Sequence, residues 1–423
     1  VCVRGRRVMR MVPVACGRLW GSTRSLSSAV AASSSNVLLL WGTDRNGVLG
    51  LTRDQAKERS GKGKTVSISS EQVLSPFTPE SLSGMRFSKV SCGSDHVLAL
   101  ADDGVLYSWG SNEYGQLGTL NTVSKEPSLP SPILDLKGAE IVDFSAGRRH
   151  SVAVTGAGEV YTWGFGGSFF GGQGGLGHGD RTTQTLPTFV EGLEGVKIVQ
   201  VSAGTDFTLA LAENNHVFSW GNGEWGRLGL GGASSYKYPE PVEVLNNKEV
   251  ASIHAGATHG GALTKDGRAF MWGKNEFHQL GIDSSGQYLG GASLDAEHFP
   301  RLVESLAEQG EVLVSLSCGS TFSAAINDRG DVFVWGNRQI FTPRLYSKDS
   351  FFGGEKVIFV SCGSSHILFT TESGAVFAMG KNTSGQLGSE STKAGLDPQK
   401  VDLGGVPVKC VVAGNGFCVA LGK

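Results

Sequence analysis

The sequence predicts an all-β fold: a seven-bladed β-propeller closed by joining N- and C-terminal strands in one composite blade. Three observations carry this. A short apolar stretch ending in an aromatic residue or Met before Gly recurs seven times, and a second signature built on a small residue before Gly also recurs seven times. Glycine accounts for 62 of 423 residues, about 15%, roughly twice the ordinary usage of about 7%. With 13 prolines and no triplet period, this excess excludes collagen and differs from a Pro/Gly-rich disordered chain. It points instead to many tight turns between short strands.

The inner element of each unit is read from SCGSDHVLAL (91–100), SAGRRHSVAV (145–154), SAGTDFTLAL (202–211), HAGATHGGAL (254–263), SCGSTFSAAI (317–326), SCGSSHILFT (361–370) and VAGNGFCVAL (412–421). Two-residue signals follow at Asp103-Gly104, Asn214-Asn215, Asp266-Gly267, Arg329-Gly330 and Ser373-Gly374, as expected of hairpin turns that need positive φ. The third strand ends in W-G or M-G: LLLWG (38–42), LYSWG (106–110), VYTWG (160–164), VFSWG (217–221), AFMWG (269–273), VFVWG (332–336) and VFAMG (376–380). After most of these comes G-x-L-G or a close variant, at 47–50, 115–118, 174–177, 226–229, 278–281 and 385–388. The segment after Trp335 lacks that element and belongs to the shortest repeat, 44 residues from Trp335 to Met379.

Each unit therefore reads as four antiparallel strands. The last unit reaches only its second strand at Lys423, whereas Val37–Trp41 reads as a third strand. Joining these halves into one blade closes the ring and leaves no open edge between first and last blades. The expected organisation is one domain over 36–423. Its blades fall at 406–423 plus 36–85, then 86–137, 138–195, 196–247, 248–310, 311–354 and 355–405.

Residues 1–35 hold six arginines, no lysine and no acid, with many serines. That composition predicts a mitochondrial transit peptide, the alternative being a disordered basic leader, and hence a mitochondrial matrix protein. The rest of the chain has 31 basic and 39 acidic residues, which gives no support to non-specific nucleic-acid binding. No apolar run approaches a membrane span. Cys92, Cys318 and Cys362 share one repeat position with alanines, so they read as small buried hydrophobes and not as metal or disulfide ligands.

These motifs resemble the regulator-of-chromosome-condensation repeat family, in its G-x-x-H-(T/S)-x-A-L … D-G-x-V-(Y/F)-x-W-G-x-N-x-x-G-Q-L-G form, over residues 36–423. That family includes a guanine-nucleotide exchange factor for a small nuclear GTPase, a plant ultraviolet receptor, and mitochondrial members linked to RNA processing, ribosome assembly and membrane-fusion GTPases. With the leader, the resemblance implies a non-enzymatic mitochondrial protein-interaction propeller supporting RNA processing or ribosome assembly and translation. Its partner would be a protein or a ribonucleoprotein complex. The alternative is an exchange factor for a mitochondrial GTPase. The photoreceptor reading fails because six of eight tryptophans, all but Trp20 and Trp225, belong to the W-G strands.

His96, His150, His259 and His366 share a position with Phe207, Phe322 and Phe417. This mixture points to packing and turn-pinning through backbone carbonyls, not catalysis. The residue just before varies from blade to blade, as on a binding face made of loops. The exchange-factor resemblance implies GTPase contacts at Asp95 and Asp206 and, more weakly, at His96 and His150. Arg148 and Arg149 sit at a neighbouring turn and make the face mixed in charge. Phe169 and Phe170, set among glycines in the insertion 165–180, are candidate partner anchors, the equal alternative being that they tuck back onto the blade. The insertion 52–65 reads as a solvated loop, the functional alternative being an RNA or acidic-partner contact through Arg53, Lys57, Arg59, Lys62 and Lys64. Its GKGKT is not a P-loop, because Glu58 stands where Gly is required. A third insertion, 282–300, is polar and carries no assignment. No metal-ligand spacing, cofactor motif or G-x-S-x-G elbow is present, and neither a cofactor, a metal nor a catalytic residue is expected.

Overall fold

In a computed structural model, the protein is described over residues 36–51, 55, 71–119, 128–168, 172–282, 296–389 and 394–423. Seven four-stranded antiparallel sheets form a ring. Blade 1 comprises Phe87–Cys92, His96–Ala101, Leu106–Gly110 and Ser128–Pro132 from centre to rim. Blades 2 to 6 repeat this order. Blade 7 takes its inner strands, Val408–Ala413 and Phe417–Gly422, from one end of the chain and its outer strands, Leu38–Asp44 and Glu71–Phe77, from the other. The composite blade expected from the repeat phase is thus present, with Leu38 opposite Leu421 and Gly42 opposite Phe417.

Six W-G tryptophans are fully buried, and each ties its blade to the one before. The indole N–H of Trp109 donates to Val48 O at 2.9 Å, Trp163 to Gln116 O at 2.9 Å and Trp220 to Gly175 O at 2.8 Å. Trp272 donates to Arg227 O at 3.0 Å, Trp335 to Gln279 O at 2.8 Å and Trp41 to Gln386 O at 3.1 Å. Every acceptor is the carbonyl inside the preceding blade's G-x-L-G loop. Two irregularities of the repeat now explain each other. Blade 5 replaces that loop with the tight connection Asn337–Gln339, and blade 6 has Met379 in place of tryptophan. Where the acceptor loop is absent, a buried indole N–H would be orphaned, a cost of about 1–3 kcal/mol. A thioether needs no partner.

Two glycine positions are dictated by this geometry. The glycine after each aromatic has φ between +100° and +115° and sits at a register shift between third and outer strands. A Cβ on Gly110 would meet Asp95 O at 2.6 Å. The last glycine of G-x-L-G lies under the next blade's indole, so a Cβ on Gly177 would meet Trp220 Nε1 at 2.8 Å. In the hairpins only the second residue has positive φ, as at Gly104 (83°) and Asn215 (67°). Each is a turn followed by a left-handed residue.

Inner strands are stitched by serine. Ser91, Ser145, Ser202, Ser317 and Ser361 accept the backbone N–H of the next blade's small-residue slot at 2.8–3.0 Å. That slot holds Cys318 and Cys362 buried and Cys92 half-buried. Burial raises their thiol pKa values, with Cys362 adding to the effect at Cys318, and takes Cys362 to about 12, so they are not reactive thiolates. Short helical turns such as Leu134–Leu136 and Glu191–Leu193 link outer strands to the next inner strand and bury one leucine each.

Candidate functional site

The turns between first and second strands lie on one face of the ring together with the loops between third and fourth strands. Backbone bonds join them: Ser111 N to Asp95 O, Phe165 N to Arg149 O, and Asn222 N to Asp206 O. All three insertions fall between third and fourth strands, so their ends lie on this loop face. Among the described residues, the opposite face carries the hairpins between second and third strands and the short connections to the next inner strand.

The four repeat histidines are wholly buried and pin the ring, though not in the way expected. His96 Nε2 meets Ser151 Oγ at 2.9 Å, His150 meets Thr208 Oγ1 at 2.9 Å, His259 meets Ser323 Oγ at 2.9 Å, and His366 meets Cys418 Sγ at 3.1 Å. Each partner belongs to the next blade and itself donates to the loop carbonyl that receives the tryptophan, as Ser151 does to Gln116 O at 2.8 Å. The hydroxyl proton is committed to that carbonyl, so the imidazole is the donor and carries its proton on Nε2. The expected direct bond to a backbone carbonyl is replaced by a side-chain relay. Where the position is Phe207, Phe322 or Phe417, the facing residue in the next blade is Gly260, Ile367 or Val97. All seven seams obey the rule: His faces Ser, Thr or Cys, and Phe faces an apolar residue or Gly.

Burial holds these histidines well below the usual range, His96 and His259 at about 3 and His150 and His366 at about 4. They are neutral, structural groups.

Asp206 is also committed. It is 5% exposed, with φ +58°, and both its oxygens take the Arg149 guanidinium: Nη2–Oδ2 at 2.5 Å and Nε–Oδ1 at 3.1 Å. Arg149 lies 3.6 Å from the centre of the Phe165 ring and 5.3 Å from that of Tyr114. The pair expected to present two charges to a partner instead forms a bidentate bridge between blades 2 and 3. Asp95 is different. It is half-buried, with its pKa raised by burial against the lowering charges of Arg45 and Arg148. Arg148 is exposed. Phe169, Phe170, Arg53, Lys57, Arg59, Lys62 and Lys64 lie outside the described residues. Phe165, from the same insertion as the paired phenylalanines, is buried under Arg149.

A second cluster on this face was missed in the sequence. Trp225 is 44% exposed and adopts φ +63°, a conformation costing a bulky residue about 1–3 kcal/mol. Lys274 Nζ lies 4.7 Å from the centre of its ring and 2.7 Å from Glu276. Glu276 also pairs with Arg338, which stacks on Phe277 at 4.6 Å. His278 packs edge-on against Phe341 at 4.4 Å, and Phe341 is 55% exposed. His278 and Arg338 likewise have positive φ. An alternating ladder of aromatics and charges thus spans blades 3 to 5, ending in exposed rings. The usable signal was position: Trp225 stands five residues after its W-G tryptophan, where blades 1 and 4 carry Tyr114 and Phe277.

Among the described residues, no group of three or more His, Cys, Asp or Glu could hold a metal ion, and no helix is long and apolar enough to cross a membrane.

The model of the RCC1-like domain family matches residues 37–420. Over 345 residues, 78% of this chain, the sequence is 35% identical to human E3 ubiquitin-protein ligase HERC2, of whose length the chain spans 7%. It is 34% identical over 313 residues to the mouse secretion-regulating guanine nucleotide exchange factor, covering 70% of this chain and 63% of that protein. The crystal structure of Prp20p from Saccharomyces cerevisiae shares the fold, with a TM-score of 0.74 at 23% identity and 91% of each chain covered.

Proposed function

The chain belongs to the RCC1-like domain family, and on that premise we propose that it is a non-enzymatic docking propeller whose loop face receives a protein or ribonucleoprotein partner. One observation carries this reading. The repeat histidines, the hydroxyls they face and the W-G indoles are committed to bonds between blades, while Trp225 and Phe341 stand exposed on the loop face, the former in a costly backbone conformation. Exposed aromatics flanked by cations are what interface hot spots are made of. The finer proposal places the protein in the mitochondrial matrix, working with RNA-processing or ribosome-assembly partners. The Arg-rich, acid-free stretch 1–35 and the resemblance to mitochondrial members of the family support it. The test is to tag the full chain, with and without residues 1–35, and purify it from fractionated cells. The full chain should accumulate in mitochondria and co-elute with RNA-processing or ribosomal proteins. Accumulation elsewhere refutes the compartment, and elution without any partner refutes the docking role.

A second reading is a guanine-nucleotide exchange factor for a mitochondrial GTPase. It is favoured by the similarity to the mouse exchange factor and by Prp20p, which is described by its binding to Gsp1p and histones. In this chain Asp95 is the carboxylate placed to serve it, since Asp206 is bound to Arg149. Accelerated release of labelled GDP that is lost in Asp95→Ala would support this reading; no acceleration by the wild type would dismiss it.

A further inference from the structure

At the centre of the loop face the channel opens into a cavity of about 420 Å³, lined by the first-to-second strand turns of all seven blades. The turns are joined into a belt by backbone bonds at six seams, including Ser94 N to Gly147 O, Arg148 N to Gly204 O and Ser320 N to Gly363 O. The belt satisfies the backbone and leaves the side chains at its second position to face the opening. Five of these are hydroxyls or an amide (Ser94, Thr205, Ser320, Ser364, Asn415), one is Ala257, and one is Arg148. None of these five side chains, nor that of Arg148, has a hydrogen-bond or ion-pair partner among the described residues, although the Thr205 carbonyl accepts from Arg227 at 3.2 Å. Arg148 is the one charged residue in the lining.

We propose that this mouth is a receptor for an acidic peptide segment, with the Arg148 guanidinium taking a carboxylate and the hydroxyl and amide ring hydrogen-bonding the peptide around it. The inference rests on the docking reading above and names the chemistry at its centre. Three arguments lead there. A guanidinium with no internal partner offers a planar fork matched to a carboxylate. The cavity has the size of sites that hold ligands well above a single small ion. The body of the chain is net acidic, with 31 basic against 39 acidic residues beyond residue 35, so an acidic segment is disfavoured over most of the surface and favoured where a guanidinium sits within a ring of hydrogen-bonding side chains. The Asp95 carboxylate is acted on by Arg45 and Glu113 as well as by Arg148, and it makes no ion pair with Arg148.

The experiment measures fluorescence anisotropy of fluorescein-labelled hexaglutamate with the purified full chain at about 0.1 M salt, where only nearby charges act. Hexaserine is the neutral control. The wild type should bind hexaglutamate and not hexaserine. Arg148→Gln should weaken binding at least about tenfold, and Arg148→Lys should weaken it less, since the charge stays and the fork goes. Arg329→Gln, a guanidinium on the opposite face, should leave affinity unchanged. Equal binding by Arg148→Gln, or equal weakening by Arg329→Gln, overturns the proposal. So does Arg148-dependent binding of inorganic phosphate without binding of hexaglutamate, which would make the mouth a small-anion site. Partner capture by the wild type is read separately, so failure of the mouth assignment is distinguishable from failure of the docking role.

Discussion

His96 Nε2 lies 2.9 Å from Ser151 Oγ across the seam between blades 1 and 2, and where a seam has no such histidine the facing hydroxyl is missing too. The two side chains work as one unit with the Gln116 carbonyl, which also receives Trp163. The ring is held by seams that each exist in a polar or an apolar form.

The first prediction converts one form into the other. His96→Phe alone leaves Ser151 with no imidazole and should cost about 1–3 kcal/mol. Adding Ser151→Val recreates the Phe417–Val97 type of seam and should recover most of that loss. A double-mutant cycle in urea unfolding checks it. Strictly additive losses would mean that the pairing is incidental.

Acid should loosen the ring. His96, His150, His254, His259 and His366 have folded pKa values of about 3 to 4, lowered by burial, against about 6.5 when unfolded. The unfolded chain therefore binds more protons, and stability is lost as pH falls from about 6.5 toward 4. Melting temperature should drop steeply across that range, and less steeply in His96→Phe/Ser151→Val. A flat profile between pH 6.5 and 4.5 would contradict the assignment.

Equivalent tryptophans should differ in cost. Trp109→Phe leaves Val48 O with no donor, because its seam is the apolar one. Trp163→Phe leaves Gln116 O still bonded to Ser151. Trp109→Phe should be the more destabilising by about 1 kcal/mol, the cost of one lost net hydrogen bond. Denaturant midpoints at equal m-values decide it.

Arg149→Ala should destabilise by about 3 kcal/mol, since it strands a buried Asp206. Asp95→Ala should change stability by no more than about 0.5 kcal/mol. Thermal unfolding of both variants separates a structural carboxylate from one available to a partner; equal effects would remove that distinction.

The ring was legible because its elements repeat, and seven copies of W-G and of the small-residue slot leave little freedom in topology. Loss of the G-x-L-G loop after Trp335 and loss of tryptophan at Met379 were both visible, but their connection required knowing that each indole points to the preceding blade. Asp206 was opaque for a similar reason: T-D-F and S-D-H look alike locally, and what buries Asp206 is Arg149 one blade away. Trp225 was opaque because residue type alone suggests burial, whereas its loop position, with a positive φ, leaves it 44% exposed.

The central claim, docking through the loop face, is tested most directly by partner capture with variants. The full chain carrying Trp225→Ser and Phe341→Ser would be compared with wild type and with Leu134→Ser, which removes an exposed leucine from the opposite face. With tagged proteins purified in parallel from whole cells, the account predicts that the double variant stays folded and recovers its partners at least about tenfold less well, while Leu134→Ser matches wild type. Equal partner recovery by all three proteins would contradict it.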